Sequence, residues 1–305
     1  MKLLSEANPK IQKGAKLGYL TFILHLAPGD LSGKEVCPKR TAGCTLACLN
    51  TAGRGGMFRK GETTNVIQQA RIRKTKWFFS DRDAFLVQLK KEIRAGIAKA
   101  RKLGLIPVFR LNGTSDLSWE KYGVIQEFPD IQFYDYTKVL GRKVSHLPNY
   151  HLTFSRSETN DAEAVQVLKA GGTVAVVFRD GLPKTWNGFP VVNGDASDLR
   201  HRDPKGVVVG LVAKGEGKKD TSGFVVDLPF GDLVYRPPVG AAEKDLYKAG
   251  AEYDIAMNRY MLKRKPSKSA LEKVVGKNPK ATLLCALLPT ANAVALVPPL
   301  AVTVP

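Results

Sequence analysis

Gly18-Tyr-Leu-Thr-Phe-Ile-Leu-His-Leu26 is a near-continuous apolar, β-prone run that ends in Ala27-Pro28-Gly29. A strand that is apolar on both alternating faces must be covered on both, as in a parallel sheet wrapped by helices. Segments of the same kind return at Ile106–Leu111, Ile131–Tyr136, His151–Phe154, Thr173–Phe178, Phe189–Val192 and Val207–Val212. Helical patterns lie between several of them. One, rich in Arg and Lys, covers roughly 63–79. A second runs from Arg82 to Leu103 with Leu86, Leu89, Ile93 and Ile97 spaced by three and four; Ser80 or Asp81 can cap it and Gly104 can stop it. A short helix is expected over Trp119–Glu127. Another is expected after Asn160, which forms a capping box with Glu163, and Gly171-Gly172 closes it.

Strands alternating with helices argue for an α/β fold with crossover helices, here a parallel (βα) barrel, complete or partial, over residues 1–238. No strand is followed by G-x-G-x-x-G, and no G-x-x-x-x-G-K-[ST] occurs, so dinucleotide and P-loop readings lose support. From about residue 239 the character changes. Residues 239–280 read as a basic helical extension, and Arg259–Lys280 carries eight basic residues against one acidic. Residues 281–305 form an apolar tail that Pro289, Pro298 and Pro299 interrupt too often for a membrane span.

The 305 residues include 47 Lys+Arg against 28 Asp+Glu, a net charge of +19. Such a field attracts nucleic acid or another polyanion, and equally suits a basic enzyme with anionic substrates. Residues 1–18 carry Lys2, Lys10, Lys13 and Lys16 without the apolar core of a signal peptide. The expected compartment is the cytoplasm, where thiols stay reduced and disulfides are the weaker explanation of grouped cysteines.

That matters because three of the four cysteines, Cys37, Cys44 and Cys48, fall in one loop directly after the first strand, spaced C-x6-C-x3-C. Thiolates crowded this way bring several sulfurs onto one soft metal or cluster. In a parallel barrel the loops at the carboxyl ends of the strands build the site. The second strand contributes Asn112, Gly113, Thr114, Ser115 and Asp116; the third, Asp135, Tyr136, Thr137 and Lys138. Ser155, Arg156, Ser157 and Glu158 follow the fourth, Arg179-Asp180 the fifth, and Asn193-Gly194-Asp195 the sixth. Almost every exit is small and polar.

A three-cysteine loop after the first strand, with a Gly-containing polar exit after the second, resembles the radical S-adenosylmethionine (SAM) superfamily. More narrowly, Cys37–Gly56 resembles a phage-associated family called gene product eighty-eight, a likeness extending over about residues 15–235. The resemblance implies that Cys37, Cys44 and Cys48 ligate three irons of a [4Fe-4S] cluster whose fourth iron binds SAM. It implies that Asn112–Asp116 approaches the SAM amine, with Asp116 accepting from it. Ser155 and Glu158 would then face the ribose and Arg156 the carboxylate, while Asn193 and Asp195 complete the cofactor set. The chain departs from the superfamily's usual C-x3-C-x2-C spacing, and Asn112-Gly-Thr-Ser115 does not match its Gly-Gly-Glu segment.

Three other readings compete. Structural zinc needs four closed ligands; Cys44 and Cys48 could share a helical face, but the nearest fourth candidate, His25, sits inside an apolar strand and reads as a core histidine. A nucleic-acid-binding protein without catalysis would use Arg71–Lys76 and the basic extension for phosphates, and Trp77, Phe78 and Phe79 for stacking, although such a trio also suits a core. A cysteine protease needs one thiol activated by a histidine, and nothing singles out one cysteine from its neighbours.

Overall fold

The computed structural model describes residues 1–6, 14–58 and 63–228; the expected basic extension and apolar tail lie outside the described residues. The strands are β1 (Leu4–Ser5), β2 (Tyr19–Leu24), β3 (Ile106–Arg110), β4 (Gln132–Thr137), β5 (Tyr150–Ser155), β6 (Val174–Phe178), β7 (Thr185–Trp186), β8 (Phe189–Asn193) and β9 (Val208–Val212). The helices are α1 (Ala42–Leu46), α2 (Val66–Ser80), α3 (Arg82–Lys102) and α4 (Asp161–Lys169).

All nine strands join one sheet in the order β1-β2-β3-β4-β5-β6-β9-β8-β7. From β2 to β8 every neighbouring pair is parallel; only the two-residue edges β1 and β7 run antiparallel. The mostly parallel α/β sheet is therefore present, while among the described residues no pairing joins its two edges to close a barrel. The order also departs from that of a simple barrel, because β9 inserts between β6 and β8.

The sheet has two unlike faces. Leu20, Phe22, Leu24, Phe109, Leu111 and Phe133 point to the face that α2 and α3 cover. Gly96 of α3 faces the stacked rings of Phe22 and Phe109, whose centroids are 5.1 Å apart; a Cβ there would stand 3.1 Å from Phe22 and 3.2 Å from Phe109. Asp81 caps α3 by accepting from the Ala84 amide, and Gly104 follows its end with φ 67°. Two helical expectations change. Trp119–Glu127 yields only a 3₁₀ turn, Trp119–Tyr122, since Gly123 at φ 68° ends it. At α4, Asn160 makes no cap bond; its amide group ties Ser157 N–H to Ser155 C=O instead.

On the opposite face, Tyr19, Val108 and Tyr134 pack with Leu199. The chain between β8 and β9 folds back over this face and brings Asp198 to Arg110 at 3.3 Å and to the Tyr134 hydroxyl at 3.0 Å. These buried polar groups form the floor beneath the site.

Candidate functional site: a cysteine-lined cavity at the carboxyl edge of the sheet

The loop after β2 folds over the carboxyl ends of the strands. Thr41 caps α1 by accepting from the Cys44 amide. Glu158, from the loop after β5, accepts the Thr41 hydroxyl and the Gly43 N–H, both at 2.7 Å. This carboxylate seats α1 on the sheet. Gly43 has no room for a side chain: a Cβ would lie 2.0 Å from Ser222 Oγ and 2.7 Å from Phe224 Cβ.

Under this loop lies a cavity of about 280 Å³ whose wall includes Cys37, Cys44 and Cys48 together. All three are free thiols and half-buried. Burial pushes the Cys37 thiol up to about 12 against the pull of the Gly29 N–H on its sulfur at 3.4 Å, and the other two thiols add to the rise. Burial likewise raises Cys48, while the charges of Lys138 and Arg71 work the other way. Burial thus opposes ionisation of Cys37 and Cys48, and a cation beside them would favour it. Among the described residues, no three His, Cys, Asp or Glu side chains converge closely enough to hold a single metal ion. A single zinc would need its thiolates about 2.3 Å from one point, whereas a cluster takes one thiolate on each of several irons. His25 directly follows β2, half-buried, with its Nδ1 3.3 Å from Ser5 Oγ, and desolvation lowers it to about 3.

The exit of β3 forms a second wall. Gly113 is pressed against β2: a Cβ would stand 2.7 Å from His25, Ile23 and the Leu24 carbonyl. The Asn112 side chain is fully engaged inside its own loop, accepting from Ser115 Oγ, Leu117 N–H and Trp119 Nε1 and donating to Leu117 C=O. What this segment offers the cavity is therefore close-packed backbone and Asp116. Asp116 accepts the Lys138 N–H at 2.7 Å through Oδ2, and its buried Oδ1 makes no hydrogen bond but pairs with the Arg142 guanidinium at 3.6 Å; burial raises the carboxyl against that charge. Beneath them Asp135 accepts the Asn112 N–H at 2.7 Å and the Tyr150 hydroxyl at 2.9 Å, and burial lifts it to about 7.

The remaining expected residues divide. Ser155, Arg156 and Asp195 line the cavity. The Arg156 guanidinium is held by Asp161 and by the carbonyls of Gly223 and Phe224, and Asp195 pairs with Lys214 at 2.6 Å. Glu158 and Asn193 stand outside the lining; Glu158 anchors the cysteine helix, and Asn193 Oδ1 accepts the Asp195 N–H. Arg110 and Phe224 were not expected. Arg110 had a signal, a charge ending an apolar strand. Phe224 lies in a segment with no periodicity and had none.

The trio Trp77-Phe78-Phe79 belongs to the core: Phe78 is 1% exposed, and Trp77 and Phe79 pack against the same cluster. Phe78 meets Phe85, Trp119 and Tyr122 edge to face. No helix of the described residues is long and apolar enough to cross a membrane. No curated protein and no solved structure matches the chain. The sequence signature of the family described as gene product 88 matches residues 2–228, a span that contains the cysteine loop and every strand of the sheet, and the chain belongs to that family.

Proposed function

We propose that Cys37, Cys44 and Cys48 together hold a [4Fe-4S] cluster and that the adjoining cavity binds SAM and a substrate for radical-type chemistry. The observation that carries this reading is that three free cysteines of one loop line a single cavity at the carboxyl edge of a parallel sheet. A cluster held by these three cysteines and reduced by an external one-electron donor would supply an electron to a bound sulfonium. The chain's own residues do the rest. Asp116, whose Oδ1 makes no hydrogen bond and lies 3.6 Å from Arg142, would accept from an ammonium; Gly113 lets backbone approach closely; Glu158 and Thr41 fix the cysteine helix, and Val177, Leu211 and Phe224 give the wall an apolar side.

The test is iron and sulfide analysis of anaerobically prepared protein, joined to an assay for 5′-deoxyadenosine released from SAM. The expected preparation is brown, with broad absorbance from iron–thiolate charge transfer that Cys44→Ser bleaches. A colourless protein holding one zinc would replace this reading with a structural site. The second reading, a non-catalytic nucleic-acid-binding protein with a structural zinc or cluster, draws on the net charge of +19. Salt-sensitive binding indifferent to iron and SAM favours it.

A further inference from the structure

The charged groups of the cavity wall do not balance. Lys39, Arg40, Arg110, Lys138, Arg156 and Lys214 face it, against Asp116, Asp195 and Asp198. Four of the six cations are committed: Arg40 to Glu35 at 2.8 Å, Arg110 to Asp198 at 3.3 Å, Arg156 to Asp161 at 2.6 Å and Lys214 to Asp195 at 2.6 Å. Lys39 is exposed at the rim. Half-buried Lys138 has no carboxylate within ion-pair distance among the described residues, and its ammonium stands 5.6 Å from the centre of the Phe224 ring. Arg110, spread over the Tyr136 ring at 4.6 Å, keeps a buried Nε–H without a hydrogen-bond partner. Donors left over on a cavity wall can take an acceptor from outside the chain. Around them the wall is apolar: Ala175, Val177, Leu211, Val212 and Phe224.

We propose that the substrate of this cavity is a small aromatic compound bearing an oxyanion, a phosphate or a carboxylate, whose anion is held by Lys138 with Arg110 behind it and whose ring packs on Phe224. Oxyanions take charge-assisted hydrogen bonds from ammonium and guanidinium groups, and the apolar wall beside them suits a ring. The assignment rests on the cavity being the substrate site of the preceding section, and it names the class that site takes.

The experiment is calorimetric titration of the full chain at fixed ionic strength with phenyl phosphate, benzoate, inorganic phosphate and, as the neutral control, benzyl alcohol. Phenyl phosphate or benzoate should bind more tightly than inorganic phosphate and than benzyl alcohol, and which of the two is preferred tells phosphate from carboxylate. Lys138→Gln should weaken binding about tenfold or more, Lys138→Arg should restore it, and Phe224→Leu should weaken the aromatic ligands but not inorganic phosphate. Lys91→Gln, on the exposed side of α3, controls for the general positive field and should change nothing. Equal binding by Lys138→Gln, equal loss in Lys91→Gln, or no binding of any aromatic anion overturns the proposal. Iron content read on the same samples separates the two claims: anion binding without iron refutes the cluster and leaves the oxyanion site, and iron without anion binding does the reverse.

Discussion

Glu158 and Gly43 are 115 positions apart in the chain, yet a 2.7 Å hydrogen bond between them fixes the helix that carries Cys44. The bond works because Gly43 has no side chain. A methyl there would meet Ser222 Oγ, which can rotate away, and Phe224 Cβ, which cannot move without its backbone. Gly43→Ala should therefore cost roughly 1–3 kcal/mol through overpacking. Glu158→Ala removes two charge-assisted bonds, a loss of about 1.5–3 kcal/mol for such an acceptor. Glu158→Gln keeps one carbonyl for Gly43 and an amide for Thr41, and recovers the larger part. Urea denaturation of the three variants checks this; equal stability of Glu158→Ala and wild type would refute the anchoring role.

Asp135 makes the site's second wall sensitive to pH. Its carboxyl is lifted by burial to about 7, against about 3.9 in an unfolded chain. Between those values the folded protein keeps a proton that the unfolded chain releases, so this residue's contribution is full below about pH 4 and declines as pH rises through 7. His151 and His201, lowered by burial to about 4 and about 3, act in the opposite sense as pH falls below about 6.5. Comparing wild type with Asp135→Asn isolates the carboxylate. The stability difference should shift against wild type by up to about 1.4 kcal/mol per pH unit between pH 4 and 7 and then level off. Denaturation curves that stay parallel across that range would remove Asp135 from the account.

The sheet was legible because β2, β6 and β9 are apolar on both faces and the other longer strands are β-prone runs, of which β4, β5 and β8 end in small polar residues. β1 and β7 were not, since two residues carry no period. A stronger cue for the β7–β8 hairpin stood in Asn187-Gly188, whose φ values of 48° and 81° are those of a two-residue turn with both centres left-handed. The insertion of β9 between β6 and β8 left no local mark, because strand order is decided by long-range pairing. At the site, the three cysteines, the exit of β3, Ser155, Arg156 and Asp195 line one cavity, while Glu158 and Asn193 stand outside it. Their roles did not follow from position: Asn112 is consumed by its own loop and Glu158 by α1, distinctions that depend on contacts with Trp119 and Gly43 rather than on residue type.

Phe78 separates stacking from packing. Its ring sits among Phe85, Trp119 and Tyr122, with the Arg82 guanidinium 4.9 Å from its centre. Phe78→Ala should destabilise the fold by roughly 3–5 kcal/mol, the range for truncating a buried aromatic. Affinity for a single-stranded oligonucleotide, measured where the variant stays folded, should not change. A loss of affinity with stability intact would return the trio to a nucleic-acid surface.

If the three cysteines share a cluster, the loop and the fold are thermodynamically linked. Ligands that bind only the folded chain raise its stability in proportion to their occupancy, and here each ligand residue lies on the segment held by Thr41, Gly43 and Glu158. Anaerobic reconstitution with iron and sulfide should raise the melting temperature, and chelation should return it to the starting value. Cys37→Ser, Cys44→Ser and Cys48→Ser should each lose the increment, because each removes one of the three sulfurs that line the cavity. Glu158→Ala should reduce the increment without abolishing it, since it loosens the helix but leaves all three sulfurs in place. An increment that survives in every serine variant would place the bound iron elsewhere on the chain.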